Sequence, residues 1–204
     1  MSFSASRAQS AGFSAADEAN GNTEADGYER TRLSFGIESA LTPTLTIGAN
    51  AFVEDGRSDF DEFQSVPPFL PTDGTPGDDL SERETVGWRV YGEALAFGAD
   101  HRLAVSGYAT DRESFFDGFA SAFQSERLAV DYVATGQLSD TVQLSAGLNW
   151  LDETAEYGAL PGGSASTQSY GLFVESVYAP TDRFDLTTAL RFYEHSEFCA
   201  FTTV

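Results

Sequence analysis

The chain has 204 residues, 41% of them hydrophobic, and 32 acidic against 11 basic side chains give a formal net charge of −21. That length fits one domain or two small ones with a sizeable apolar surface to bury, and that charge excludes a nucleic-acid partner, which needs a basic face. A single cysteine, Cys199, with only His101 and His195, permits neither an internal disulfide nor a zinc site, and no run of 18 apolar residues exists to form a transmembrane helix.

The first 22 residues, MSFSASRAQSAGFSAADEANGN, lack a basic stretch followed by an apolar core and do not read as a signal peptide. Beyond them, apolar and polar residues alternate with a period of two. This is the mark of strands whose two faces meet different surroundings. The pattern predicts eight strands, roughly 28–41, 44–54, 85–97, 101–110, 126–137, 141–151, 169–179 and 184–194. Leu45, Ile47, Ala49, Ala51 and Val53 share one face of the second. Val86, Trp88 and Val90 oppose Arg89 and Glu93 in the third; Leu128, Val130 and Tyr132 oppose Arg127 and Asp131 in the fifth. Val142, Leu144, Ala146, Leu148 and Trp150 share a face in the sixth. Tyr170, Leu172 and Val174 oppose Glu175 in the seventh, and Phe184, Leu186, Leu190 and Phe192 oppose Asp185 and Arg191 in the eighth.

Each predicted strand has about 10 to 14 residues. Globular strands average about 5 or 6, whereas a tilted strand crossing a bilayer needs about 9 to 11. The connections alternate as well. "TP" at 42–43, "GAD" at 98–100, "LSD" at 138–140 and "PTDR" at 180–183 are short turns, and 55–84, 111–125 and 152–168 are long polar segments. Short periplasmic turns and long extracellular loops characterise outer-membrane barrels. The expected fold is therefore all-β: an antiparallel transmembrane β-barrel section of about eight long strands forming one domain over 1–204. Trp150, Tyr132, Tyr170 and Tyr178 fall near strand ends, where an aromatic girdle would sit. Strand glycines such as Gly48, Gly87, Gly107, Gly147 and Gly171 permit close packing in a curved sheet.

No G-x-S-x-G elbow or phosphate loop is present, and no acid, base and nucleophile fall into a recognisable set. His101 reads as a surface turn residue, and His195 as part of a solvated cluster with Glu194 and Glu197. The protein is not expected to be an enzyme. Residues 54–84 concentrate carboxylates, from Glu54 and Asp55 to Glu82 and Glu84, opposed only by Arg57 and Arg83. Such a stretch either forms a solvated, self-repelling loop or supplies oxygens to a hard cation.

Two segments carry a family resemblance. NTEADGYERTRLSFGIESALTPTLTIGANAFVEDGRSDFDEF resembles the barrel region of TonB-dependent outer-membrane receptors. It is most similar to the vitamin B12 (cobalamin) branch, where an acidic x-D-G-[YF] stretch precedes a strand, a short turn and a return strand ending in an acidic loop. ALRFYEHSEF at 189–198 is similar to that family's R-x-D-D-[HN]-S-x-F-G segment, although Tyr193 and Cys199 stand where the pattern has Asp and Gly. The resemblance implies a barrel of about 22 strands around an N-terminal plug. It implies outer-membrane lipid, the plug and the TonB complex as partners, and a small-molecule nutrient, cobalamin or siderophore-like, as cargo. With no plug, no TonB box and an ending in FTTV, the chain reads as an internal section of such a barrel. The resemblance also implies extracellular calcium, with Glu24, Asp26, Asp61 (after Phe60) and Asp73 as ligands and Asp78 or Asp79 as substitutes for the last. Competing readings are a free-standing eight-stranded outer-membrane barrel of structural or binding role and a soluble acidic β-sandwich.

Overall fold

A strand with apolar residues on one face and polar residues on the other can satisfy its backbone only through neighbouring strands. The computed structural model has that arrangement, and it describes residues 1–13, 25–63, 71–72, 79–116, 119–158 and 163–203. The strands are β1 (Ser2–Ser10), β2 (Tyr28–Thr42), β3 (Leu45–Asp59), β4 (Glu62–Phe63), β5 (Pro71–Thr72) and β6 (Leu80–Ala96). They continue with β7 (Ala99–Phe116), β8 (Phe119–Ser139), β9 (Val142–Tyr157), β10 (Ser164–Thr181), β11 (Phe184–His195) and β12 (Phe198–Thr203). Ten of them form one sheet in the order β1-β2-β3-β6-β7-β8-β9-β10-β11-β12, while β4 and β5 make a small separate hairpin. Every pairing is antiparallel, and within the described residues β1 and β12 end the ladder without pairing to each other.

The eight expected strands are all present, and the sheet adds β1 and β12. In β1 only Phe3 and Ala5 carry the apolar alternation, opposite Phe35 and Leu33, so serine-rich SFSASRAQS gave no hydrophobic signal. Several strands also run further on the loop side than the alternation predicted. β7 and β8 stay in register to Phe116↔Phe119, so most of 111–125 is paired strand rather than a long loop. β9 and β10 likewise remain paired to Glu156↔Ser164. These extensions mix charged, serine and phenylalanine residues without a sustained alternation, so the period-two signal fades there while the hydrogen-bonded ladder continues.

The register sorts side chains cleanly. Val53, Val86 and Ala109 are aligned on one face, and the next row on that face toward the loops is Asp55, Glu84 and Asp111. The same step from apolar to acidic occurs from Leu128 to Glu126, Trp150 to Asp152 and Phe192 to Glu194. Along β6 the apolar band runs from Val86 to Ala96. At about 3.3 Å per residue and a barrel-like tilt this spans about 25 Å, the height of a membrane band.

Burial is inverted relative to a water-soluble sheet. Among the described residues the buried hydrophobics are only Leu80, Ala104 and Ala129, whereas Val90 is 53% and Leu172 54% exposed. Ala104 and Ala129, with buried Thr85, Thr110 and Ser169, lie on the face opposite the apolar band. A β-sandwich would bury its large apolar row against a second sheet, and among the described residues none covers it. At the turn end of the apolar face, His101 Nδ1 lies 2.7 Å from the Tyr132 hydroxyl and Nε2 lies 3.1 Å from the Ala96 carbonyl. The carbonyl can only accept, so Nε2 carries the proton and the tyrosine donates to Nδ1. This ties the β6–β7 turn to β8.

Val90→Arg, on the apolar band, is expected to lower stability by about 2–4 kcal/mol in lipid vesicles, measured by reversible urea unfolding. Ser106→Arg on the opposite face is expected to change it by less than about 1 kcal/mol.

Candidate functional site

On the polar face the strand charges segregate along the sheet, whereas the apolar face carries charge only in its rows nearest the loops. The ladder puts Arg30, Arg32, Arg83, Arg89, Arg112 and Arg127 on the rows nearer the loops, with Glu54 and Glu153 as the acids among them. The rows nearer the turns hold Glu38, Glu93, Asp100, Asp131, Glu175 and Asp185, with Arg102 and Arg191. All 11 basic residues are arginine. Arginine offers a planar fork of donors suited to carboxylates and other oxyanions.

Glu54 anchors the loop-side half. Its side chain is only 9% exposed and lies between two guanidinium groups, Arg32 Nη1 at 3.3 Å and Arg83 Nη2 at 3.1 Å. One carboxylate between two arginines leaves a net positive charge. Arg32 also stacks 3.7 Å above the Phe52 ring. Phe52 in turn lies across Gly87 toward Tyr108, with ring centroids 6.4 Å apart. Beside these rings is a depression of about 360 Å³ whose polar-face lining includes Asn50, Phe52, Arg89, Ser106, Tyr108 and Arg127. Arg127 reaches Glu153 at 3.8 Å, and Arg112 stands over Phe123 at 5.4 Å.

Glycines shape this surface. A Cβ on Gly87 would overlap the Phe52 ring, one on Gly48 the Tyr91 ring, and one on Gly147 the Phe173 ring. Each ring therefore lies over a neighbouring strand, and across Gly48 the Tyr91 hydroxyl donates to Glu38 on β2. Trp88 makes the same contact over Gly107 on the apolar face. The anticipated role of these glycines in close packing is thus borne out by named rings.

Of the residues anticipated as calcium ligands, Glu24 and Asp73 lie outside the described residues, as does Asp78. Asp26 and Asp61 are half-buried and stand just beyond the paired ends of β2 and β3. There the Asp59 N–H donates to the Gly27 carbonyl at 2.9 Å, and the Phe60 N–H donates to the carbonyl of buried Asp79 at 3.1 Å. The fold thus gathers Asp26, Asp61 and Asp79 at one loop base. Among the described residues no group of three or more His, Cys, Asp or Glu side chains is placed to hold a metal ion. His195 Nδ1 accepts from the Glu197 N–H at 3.1 Å and packs against Phe198.

The arginine-rich half was not anticipated as a unit. Arg89 and Arg127 were visible as polar-face residues, but only cross-strand register shows that six arginines from four strands share one surface.

The sheet matches solved receptor structures. The siderophore receptor PirA from Pseudomonas aeruginosa superposes with a TM-score of 0.71 at 16% identity, covering 86% of this chain and 29% of that one. PirA from Acinetobacter baumannii gives 0.69 at 11% identity, over 95% and 33%. A mutant of the ferric enterobactin receptor PfeA from Pseudomonas aeruginosa gives 0.64 at 14%, over 89% and 31%. The fold matches a section of the barrel of these receptors. The chain spans about a third of the length of these receptors. No family model matches the sequence, and no curated protein aligns with it significantly.

Gly87→Ala is expected to destabilise the sheet by about 1–3 kcal/mol through displacement of Phe52. Gly56→Ala, whose nearest atom would be 3.7 Å away, is expected to stay within about 0.5 kcal/mol. Urea unfolding in detergent micelles measures both.

Proposed function

We propose that this chain is a section of the barrel of a TonB-dependent outer-membrane receptor, and that an anionic nutrient of the siderophore kind is taken up past its polar face. The observation that carries this reading is the loop-side half of the polar face, where Arg32 and Arg83 flank Glu54 while Arg89 and Arg127 line the depression beside Phe52 and Tyr108. An anion in this depression would meet guanidinium donors and aromatic faces together. The solved structures of similar fold are named as siderophore receptors, which supports a siderophore-like ligand over cobalamin. In this reading the apolar face meets the lipid of a Gram-negative outer membrane. The plug and the TonB complex act in the complete receptor, and the chain does no chemistry of its own. Calcium at the loop base is a subsidiary part of the proposal. It is supported by the ladder that draws Asp26 and Asp61 together, with Glu24 and Asp73 as further donors.

The test is binding in micelles, followed by tryptophan fluorescence, of an anionic ferric siderophore and of cobalamin as the uncharged comparison. The siderophore is expected to bind more tightly. Arg89→Ala and Arg127→Ala are each expected to weaken it about tenfold or more, the value of a charge-assisted hydrogen bond. Preference for cobalamin would return the reading to that branch, and binding of neither would overturn the ligand assignment.

A second expectation concerns the edges. β1 and β12 leave unpaired backbone groups, which are costly in lipid. Expressed alone in cells, these 204 residues are expected to give no substrate uptake. Uptake by this chain alone would show that it closes without further strands.

A further inference from the structure

The four short turns differ at their tips. Three are polar or turn-suited: Pro43-Thr44, Asp140-Thr141 and Asp182-Arg183. The fourth, between β6 and β7, is Phe97-Gly98, with Ala96 paired to Ala99. Both of its central residues have positive φ, 52° for Phe97 and 77° for Gly98, as a type I′ turn requires. That conformation suits Asn, Asp or Gly at the first position. For a bulky residue it brings Cβ against the backbone and is a genuine outlier. Phe97 is the one non-glycine with positive φ among the described residues, and it is 102% exposed. Within the chain, then, this phenylalanine adds strain and gains no packing. A surface outside the chain is needed to account for it.

The surroundings indicate which surface. The apolar band on β6 ends at Ala96, one residue before Phe97, so the tip stands at the turn-side margin of that band. Leu41, Leu138 and Phe184, beside the other three tips, are 55%, 67% and 54% exposed. The alternation along β11 places Phe184 on the apolar face, and Leu41 and Leu138 are the extra residues of the register shifts opposite Leu45 and Val142 of that face. The margin is thus continuous with the apolar face. Aromatic rings favour the membrane interface at this level.

We propose, on the reading of the apolar face as lipid-facing, that Phe97 is a membrane anchor that seats the β6–β7 turn at the headgroup level of the turn-side leaflet. The strained tip is held in place by its contact with lipid. Its neighbours at the rim, Leu41, Leu138 and Phe184, extend the same contact around the sheet.

The test is depth-resolved fluorescence quenching in phosphatidylcholine vesicles carrying bromine either near the headgroup or near the acyl-chain end. One chain carries Trp88→Phe, Trp150→Phe and Phe97→Trp, so that its only tryptophan is at the turn tip. The other carries Trp150→Phe alone and reports on the apolar band through Trp88. Strong quenching of the tip by the shallow bromines, with weak access to aqueous iodide, is the expected result. Quenching of Trp88 by lipid with the tip reached only by iodide would overturn the anchor and leave the lipid-facing band intact. Absence of lipid quenching at Trp88 would overturn the band itself and the anchor with it. Phe97→Asn gives a second readout independent of those substitutions. It suits the turn, so it is expected to keep the sheet's circular dichroism while inserting into vesicles several-fold more slowly. Insertion at the parent rate would count against the anchor.

Discussion

The structure depends on backbone hydrogen bonding between neighbouring strands. On the proposed reading of the exposed Val, Leu, Ile and Trp face as lipid-facing, the peptide groups beneath it have no water partner, so each N–H and C=O must find its partner within the sheet. A meander meets this demand simply: each strand bonds to the strand before it and the strand after it in sequence, apart from the small β4–β5 excursion. The two outermost strands are the exception, because each has a neighbour on one side only. A receptor barrel resolves that by closure.

With the apolar side chains turned outward, the polar face has to pack by other means. Few large residues are buried there; small ones such as Ala104, Thr85 and Ser169 are. Aromatic rings lie flat over glycines on adjacent strands, and Glu54 ties β2 to β6 through two arginines. These contacts join neighbouring strands through their side chains as well as their backbones. They also keep bulky groups from projecting off the wall. In a lumen that has to accommodate other material, a ring laid along the sheet takes up less of the width than one standing upright.

Much of this was legible from the sequence because period-two alternation is a local signal. Charges such as Arg89, Asp131 and Glu175 keep strictly to one parity, so the faces of the central strands could be assigned without a structure. The short turns were legible for the same reason. Strand β1 was not: with serine at alternate positions, its extended form depends on the partner strand β2. The strand extensions at 111–116 and 119–125 were read as loop because their charged, serine and phenylalanine residues follow no sustained period of two. The arginine cluster was hidden for a different cause. Its members are spread over about a hundred residues of chain and meet only through cross-strand register, which sequence order does not reveal.

The division of charge along the polar face has an electrical consequence. On this face guanidinium groups dominate toward the loops and carboxylates toward the turns, while the carboxylates of the opposite face (Asp55, Glu84, Asp111) stand at the loop end, so the potential near the polar surface falls along the strands and the sheet is also polarised across its thickness. An anion moving along it would first descend into a well and then face a rise. A cation would experience the opposite slope, so the same arrangement also discriminates by sign.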